Sequence, residues 1–201
     1  VCSSDLSTVA RCIMGLTELD AGEILLDGHS LREHRKDRKN RVYERLQMIF
    51  QDPYSSLNPR MSIETILLEP FMIQGRIGIA EARRRVAKLV DEVALSSDAL
   101  GKYPQEFSGG QRQRISIARA LALEPRLIVA DEPVSALDVS VQGQIIMLLK
   151  GLQATRDLSF LLISHDLDVI RNFCRQVAVM YLGRIVEYGT VEQAMDRALH
   201  P

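Results

Sequence analysis

Two short stretches carry side chains that could do chemistry. Leu127-Ile128-Val129-Ala130 is an apolar run that ends in Asp131-Glu132-Pro133. A strand buried on both faces reads this way, and its C-terminal end would present two acids at the crevice where parallel α/β sheets bind ligands. Asp131 is then placed to hold a Mg2+ ion, directly or through water, and Glu132 to orient or deprotonate an attacking water. Taken alone, the same stretch also reads as a strand ending in a solvated acidic turn. The second stretch is Phe107-Ser108-Gly109-Gly110-Gln111-Arg112-Gln113-Arg114. Ser108 and Gln111 have the spacing of a reciprocal helix cap. Ser108, Gly109 and Gly110 would also leave backbone N–H groups open at a helix N-terminus, where the dipole and the lack of bulk favour a phosphate. Both readings can hold together.

The elements that must position these residues alternate along the chain. A helix is expected over Ser7 to Leu16, starting near Ser7 or Thr8, then a strand over Glu23 to Asp27 ending at the turn pair Asp27-Gly28. Leu46 to Phe50 reads as a strand and leads into Gln51-Asp52-Pro53. Ile79, Ala82, Val86, Leu89, Val90 and Val93 recur as one helix face, with Arg83, Arg84, Arg85 and Lys88 turned elsewhere. Residues from about 57 to 123 therefore read as a mostly helical insertion between strands. Beyond them come strand Leu127 to Ala130, helix Val141 to Leu152, strand Phe160 to Ile163, helix Leu167 to Phe173, and strands Val177 to Leu182 and Ile185 to Glu187. Strands separated by helices imply parallel pairing.

Composition bounds the rest. A chain of 201 residues is expected to form one domain, and its 46% hydrophobic content supplies a core that disordered chains lack. With 25 basic and 26 acidic side chains the formal charge is -1, so no global field recruits nucleic acid or an anionic membrane. Six Lys or Arg residues lie between Arg32 and Arg41, but Glu33 and Asp37 interrupt them, and a solvated face is expected. No apolar run approaches the roughly 20 residues that span a bilayer, and the N-terminus lacks the order of a signal peptide, so a soluble, intracellular protein is expected. Cys2, Cys12 and Cys174 are far apart, as are His29, His34, His165 and His200, which argues for reduced thiols and against a zinc site. Ser164-His165-Asp166 is not read as a catalytic triad, because three consecutive side chains generally point apart.

In order and spacing these motifs resemble the ATP-binding cassette (ABC) ATPases. Ser108 to Gln111 is similar to their signature motif, with Phe107 where Leu is commoner, and Leu127 to Glu132 is similar to their Walker B strand. Gln51 matches the Q-loop glutamine, Ser135-Ala136-Leu137-Asp138 the D-loop, and His165 the switch histidine. The resemblance covers essentially the whole chain from Ser7 and implies an α/β fold: a P-loop NTPase-like (RecA-like) parallel sheet core, an inserted helical subdomain and a small antiparallel β portion. It implies one nucleotide-binding domain over 1–201, truncated at both ends, that uses ATP and Mg2+. Gln51 would contact the metal and the attacking water, and His165 the γ-phosphate and that water. Asp131 and Ser7 would serve the metal, with Ser7 and Thr8 on the nucleotide. Ser108, Gly109, Gly110 and Gln111 would close in trans over a partner's nucleotide, and Asp138 would communicate across the dimer.

Gln51-Asp52-Pro53-Tyr54-Ser55-Ser56-Leu57-Asn58-Pro59-Arg60-Met61, Asp131 to Ser140 and His200-Pro201 look like the branch that energises dipeptide, oligopeptide, nickel and glutathione import. That branch implies a homologous but distinct second ATPase subunit in a heterodimer, two transmembrane permease subunits docking near Gln51 and Tyr54, an extracytoplasmic binding protein acting indirectly, and a peripheral place on the cytoplasmic face of the membrane. No nucleic-acid partner is expected. The alternatives are an ABC ATPase serving a non-transport complex and a non-catalytic interaction module.

One family element is reduced to its tail. A P-loop needs G-x-x-G-x-G-K-[ST]. Here Ser7-Thr8-Val9-Ala10-Arg11 fits the start of the following helix, yet Leu6 stands where Lys belongs and Val1 to Asp5 hold no glycine. Val1 to Leu6 resemble the translated end of a sequencing adapter, so these six residues are expected to be non-native, fused to a truncated gene; a natural paralogue without a P-loop is the alternative. The 201 residues alone are expected to bind MgATP poorly and to be inactive as an ATPase.

Overall fold

The computed structural model describes residues 3–31 and 42–196. The basic run from Arg32 to Arg41 and the terminal His200-Pro201 lie outside the described residues, as do Val1 and Cys2. The chain divides into two compact units, one of residues 43–160 and one drawn from 1–42 and 161–201. Among the described residues no helix is long and apolar enough to cross a membrane.

The unit of residues 43–160 is built on a parallel sheet. After α2 (Val42–Arg45), β3 (Leu46–Ile49) pairs in parallel with β4 (Leu127–Asp131), Leu46 opposite Leu127 and Ile49 opposite Ala130. Ile128, Val129 and Ala130 are wholly buried, as an unbroken apolar run in a parallel sheet requires. The Ser159 amide donates to the Arg126 carbonyl (2.8 Å), and β5 (Ser159–Ile163) starts beside β4, giving the order β3-β4-β5.

Between β3 and β4 the chain is helical. α3 (Pro53–Ser56) is capped by Asp52, whose carboxylate accepts from the Tyr54 amide at 2.8 Å. α4 (Ile63–Gln74) is capped by Ser62 and stopped by Gly75, whose φ of 67° is one a side chain would strain. α5 (Ile79–Glu92) buries Ala82, Val86, Leu89 and Val90, the face its periodicity marks, while Arg84 and Arg85 turn out and pair with Glu81. Short 3-10 turns at Ser97–Gly101 and Pro104–Glu106 lead to α6 (Gly109–Leu121), which packs against β3, α3, α4, α5 and α7 (Val139–Thr155). α7 starts at Val139, ahead of the expected Val141, because Asp138 takes the N-cap position and Val139 can sit exposed in the first turn.

The second unit contains α1 (Ser3–Met14), the two-residue strands β1 (Leu25–Leu26) and β2 (His29–Ser30), β6 (Gln176–Tyr181), β7 (Arg184–Thr190), α8 (Leu167–Phe173) and α9 (Val191–Asp196). α1 starts at Ser3 rather than Ser7 or Thr8, with Asp5 in its first turn, where a carboxylate suits the helix dipole. Both hairpins are antiparallel. Asp27-Gly28 turns the first, with φ of 52° and 78°, so the expected strand over Glu23 to Asp27 shrinks to Leu25–Leu26. Leu182-Gly183 turns the second, with φ of 47° and 73°. Leu182 is thus a turn residue rather than the end of a strand, a place its apolar side chain does not announce. β7 extends to Thr190 because Tyr188, Gly189 and Thr190 pair with Ala178, Val177 and Gln176.

Candidate active site

β4 delivers Asp131 and Glu132 to its C-terminal end, only 5% and 3% exposed. Glu132 has φ of 46°, in the left-handed region where a residue with a Cβ is strained, at a cost on the order of 1–2 kcal/mol. That backbone turn ends the strand and breaks the alternation that would send consecutive side chains to opposite faces. The Gln51 Nε2 donates to the Glu132 Oε2 at 2.7 Å. Gln51 lies just beyond β3, and its neighbour Asp52 is fixed as the cap of α3.

The turn after Glu132 is braced from three sides. The Ser135 amide and Oγ both donate to the Glu132 carbonyl (3.3 and 3.1 Å). The fully buried Gln113 of α6 donates its Nε2 to the Pro133 carbonyl at 2.7 Å. The Gln142 Nε2 of α7 donates to the carbonyls of Val134 (3.2 Å) and Leu137 (3.0 Å). Asp138 follows, exposed, its carbonyl accepting from Val141 and Gln142 while its carboxylate makes no capping bond.

At the start of α6 the reciprocal cap is formed. The Ser108 amide donates to the Gln111 Oε1 (3.0 Å) and the Gln111 amide to the Ser108 Oγ (3.4 Å). The Ser108 N–H is therefore not open, contrary to expectation, and the first-turn amides of Gly109 and Gly110 are the donors that a helix start leaves without intrahelical partners. A Cβ on Gly110 would run into the Val141 side chain, whereas one on Gly109 would meet the Leu137 Cδ2 at 3.2 Å. Glycine at 110 is a packing requirement as well as an opening to the backbone.

Ser7, Thr8 and His165 belong to the other unit. Ser7 is buried within α1 and Thr8 is exposed beside it. His165 is exposed between β5 and α8. Its neighbours serve the local backbone: the Ser164 Oγ accepts from the Asp166 amide (3.0 Å), and the Asp166 carboxylate caps α8 through the amides of Asp168 (2.9 Å) and Val169 (3.2 Å). Both are thereby engaged away from a triad with His165.

The donor chemistry fits the groups that the sequence implies. Asp131 supplies a carboxylate, and Gln51, with its Nε2 committed to Glu132, can turn its Oε1 elsewhere; hard oxygen donors of this kind suit Mg2+, which keeps several waters and phosphate oxygens as its other ligands. A thirteen-residue helix opening on two glycines fits an anionic phosphate. Sequence reasoning missed Gln113, Gln142 and the contacts of Arg112, Ser116 and Arg119. For the last three a signal existed: they recur at i, i+4 and i+7, the spacing of one helix face.

A parallel α/β sheet with a helical insertion, acids at the end of a buried strand and a capped glycine-bearing helix start together define a P-loop NTPase-like α/β fold. Residues 6–135 match the family model described as ABC transporter, and the chain belongs to that family. It is 49% identical to a protein of Brucella ovis named as a peptide import ATP-binding protein, over 98% of this chain and 62% of that one. It is 45% identical to a dipeptide transport ATP-binding protein of Haemophilus influenzae, over 97% of this chain and 60% of that one, and 47% identical to that organism's oligopeptide transport ATP-binding protein, over 97% and 59%. The chain thus spans about three fifths of the length of these relatives. Among solved structures, CbiO1 of Clostridium perfringens, part of the ABC transporter complex CbiONQ, has a TM-score of 0.84 at 24% identity, covering 99% of this chain and 78% of that one. The ATP-binding cassette MJ0796, a dimer bound to ADP and Pi, has a TM-score of 0.79 at 27% identity, covering 92% and 80%.

Proposed function

We propose that the intact protein is the ATP-hydrolysing subunit of an ABC importer of the peptide class, coupling ATP binding and hydrolysis in a dimer to movement of membrane-spanning partners. The observation that carries this reading is the bond from Gln51 to the buried Glu132. A buried carboxylate at the end of a strand, set by a left-handed backbone and held by the Gln51 amide, is fixed in the place from which it would take a proton from water. ATP with Mg2+ supplies the electrophilic phosphorus and the charge neutralisation. Glu132 acts as general base, Gln51 orients it and offers its amide oxygen to the metal, and Asp131 serves the metal from the strand end; for the other unit, the family resemblance assigns Ser7 to the metal and Ser7 and Thr8 to the phosphates. His165 holds the γ-phosphate and the water. The amides of Gly109 and Gly110, set by the Ser108–Gln111 cap, receive the phosphates of a second subunit, and Asp138 reports across that interface.

On this reading residues from about 57 to 123 form the helical subdomain. The partners are a homologous second ATPase and two permease subunits, with a binding protein acting indirectly, and the protein lies on the cytoplasmic face of the membrane without entering it. The peptide-import names of the relatives support the cargo class. The 201 residues by themselves, with Leu6 where a phosphate-binding Lys belongs, turn over ATP poorly. The test is phosphate release by the intact protein and its Glu132→Gln variant: turnover falls by about 10²- to 10⁴-fold while an ATP-bound dimer accumulates. Near-normal turnover of the variant would remove Glu132 from the role of base.

A further inference from the structure

We infer that Arg112 is a positioning residue, locking the segment that follows Gln51 to the turn that starts α6 so that the two are set together. Arg112, Ser116 and Arg119 lie on one face of α6, and each grips α3. The Arg112 guanidinium stacks over the Tyr54 ring, 3.6 Å from its centroid. The Ser116 Oγ lies 3.1 Å from the Ser56 Oγ, and the Arg119 Nη1 donates to the Ser56 carbonyl at 2.6 Å. Arg112 alone among the three also reaches the other way. Its Nε donates to the Pro104 carbonyl (2.6 Å) and its Nη2 to the Gln105 carbonyl (3.4 Å), in the 3-10 turn that runs into Phe107-Ser108.

The chemistry of Arg112 argues against a purely structural role. It is 5% exposed, and its Nη1 is buried without a hydrogen-bond partner among the described residues. A buried donor left unmatched is unfavourable, and an apolar side chain of similar length would fill the space without it. What an apolar side chain cannot do is hold two carbonyls on one side and an aromatic face on the other. Gln51 is one residue ahead of the Asp52 cap of α3 and is bonded to Glu132, so a shift of α3 along this seam moves the Gln51 amide. The turnover part of the inference rests on the proposed ATPase function; the mechanical part does not.

The test uses the intact protein with two readouts. In hydrogen exchange, Tyr54→Leu should speed the amides of residues 107–111 by about tenfold, as expected from loss of a partly desolvated cation–π contact, and Arg112→Met should speed those of 53–57 comparably. Tyr54→Trp, which preserves the stack, should retain protection at both places. In steady-state hydrolysis, kcat should fall in Tyr54→Leu and Arg112→Met while KM for ATP stays within about twofold, and the double variant should be no worse than the poorer single one. Unchanged exchange at 107–111 in Tyr54→Leu, or effects of the two substitutions that simply add, would overturn the inference. If the wild-type protein hydrolyses no ATP, the proposed function fails and the exchange data still decide the seam. Tyr54 is 65% exposed, so its variants should fold and decide the question even if Arg112→Met does not.

Discussion

Gln51 and Glu132 stand 81 positions apart, and so do Leu46 and Leu127, Met48 and Val129, and Ile49 and Ala130. Their side-chain hydrogen bond continues the β3–β4 register two residues past the last paired position. The site's central contact is therefore a property of the sheet, set when two buried strands align their apolar residues.

Gln51→Glu places a second carboxylate against Glu132. Like charges at hydrogen-bond distance resist joint ionisation, so the acidic limb of the kcat profile of the intact protein should move to higher pH by about one unit or more. Gln51→Ala should lower kcat without that displacement. An acidic limb that stays in place in Gln51→Glu would mean that the two side chains part during turnover.

Glu132→Gly should separate stability from activity. Glu132→Gly and Glu132→Ala lose the same side-chain contacts, but only glycine adopts φ near 46° without strain, so Glu132→Gly should unfold in denaturant with about 1 kcal/mol more stability than Glu132→Ala while both lose hydrolysis. Equal stability of the two variants would show that the backbone at this position carries no strain.

Gly110→Ala should destabilise the protein by about 1–3 kcal/mol, because its Cβ meets the branched Val141 on a neighbouring helix. Gly109→Ala faces only the tip of Leu137 and should cost less. Adding Val141→Ala to Gly110→Ala should recover much of the loss, and a double variant as unstable as the single one would place the strain elsewhere. Thermal or denaturant unfolding of all four proteins measures this.

Burial pushes the Cys174 thiol above its ordinary value of 9.0. A raised folded value means that the native state holds its proton more tightly than the unfolded chain. The thiol's contribution is fully present below pH 9.0 and is lost as pH rises through the folded value. Cys174→Ala should therefore flatten the alkaline limb of the stability profile, and alkylation of Cys174 in the native protein at pH 8 should be slower than that of an unfolded control. Equal alkylation rates would contradict the burial.

The parts legible in the sequence are those in which local chemistry and tertiary position coincide. An apolar run ending in Asp131-Glu132 announces a buried strand with acids at its tip, and Ser108 to Gln111 announces a cap. α4 is not legible in the same way: Ile63, Ile66, Leu67, Leu68 and Phe71 are buried, but Met72 and Ile73 beside them are not, Ile73 being 81% exposed, and Pro70 interrupts the pattern. An apolar stretch without one preferred face carries no helical period. Gln113 and Gln142 were illegible for another reason. Each braces a carbonyl brought close by the fold, and nothing in an amide side chain says which carbonyl that will be.

The constant offset between β3 and β4 also divides the chain by its tolerance of length. An insertion inside Leu46–Gln51 or Leu127–Glu132 would exchange inward for outward side chains and part Gln51 from Glu132. One in the loop between α4 and α5, near Gln74 to Gly78, changes neither strand. The stretch from α4 through α5 can therefore be lengthened, shortened or grafted from a related protein as a cassette, provided that it still covers α6, while Gln51 and Glu132 keep their geometry.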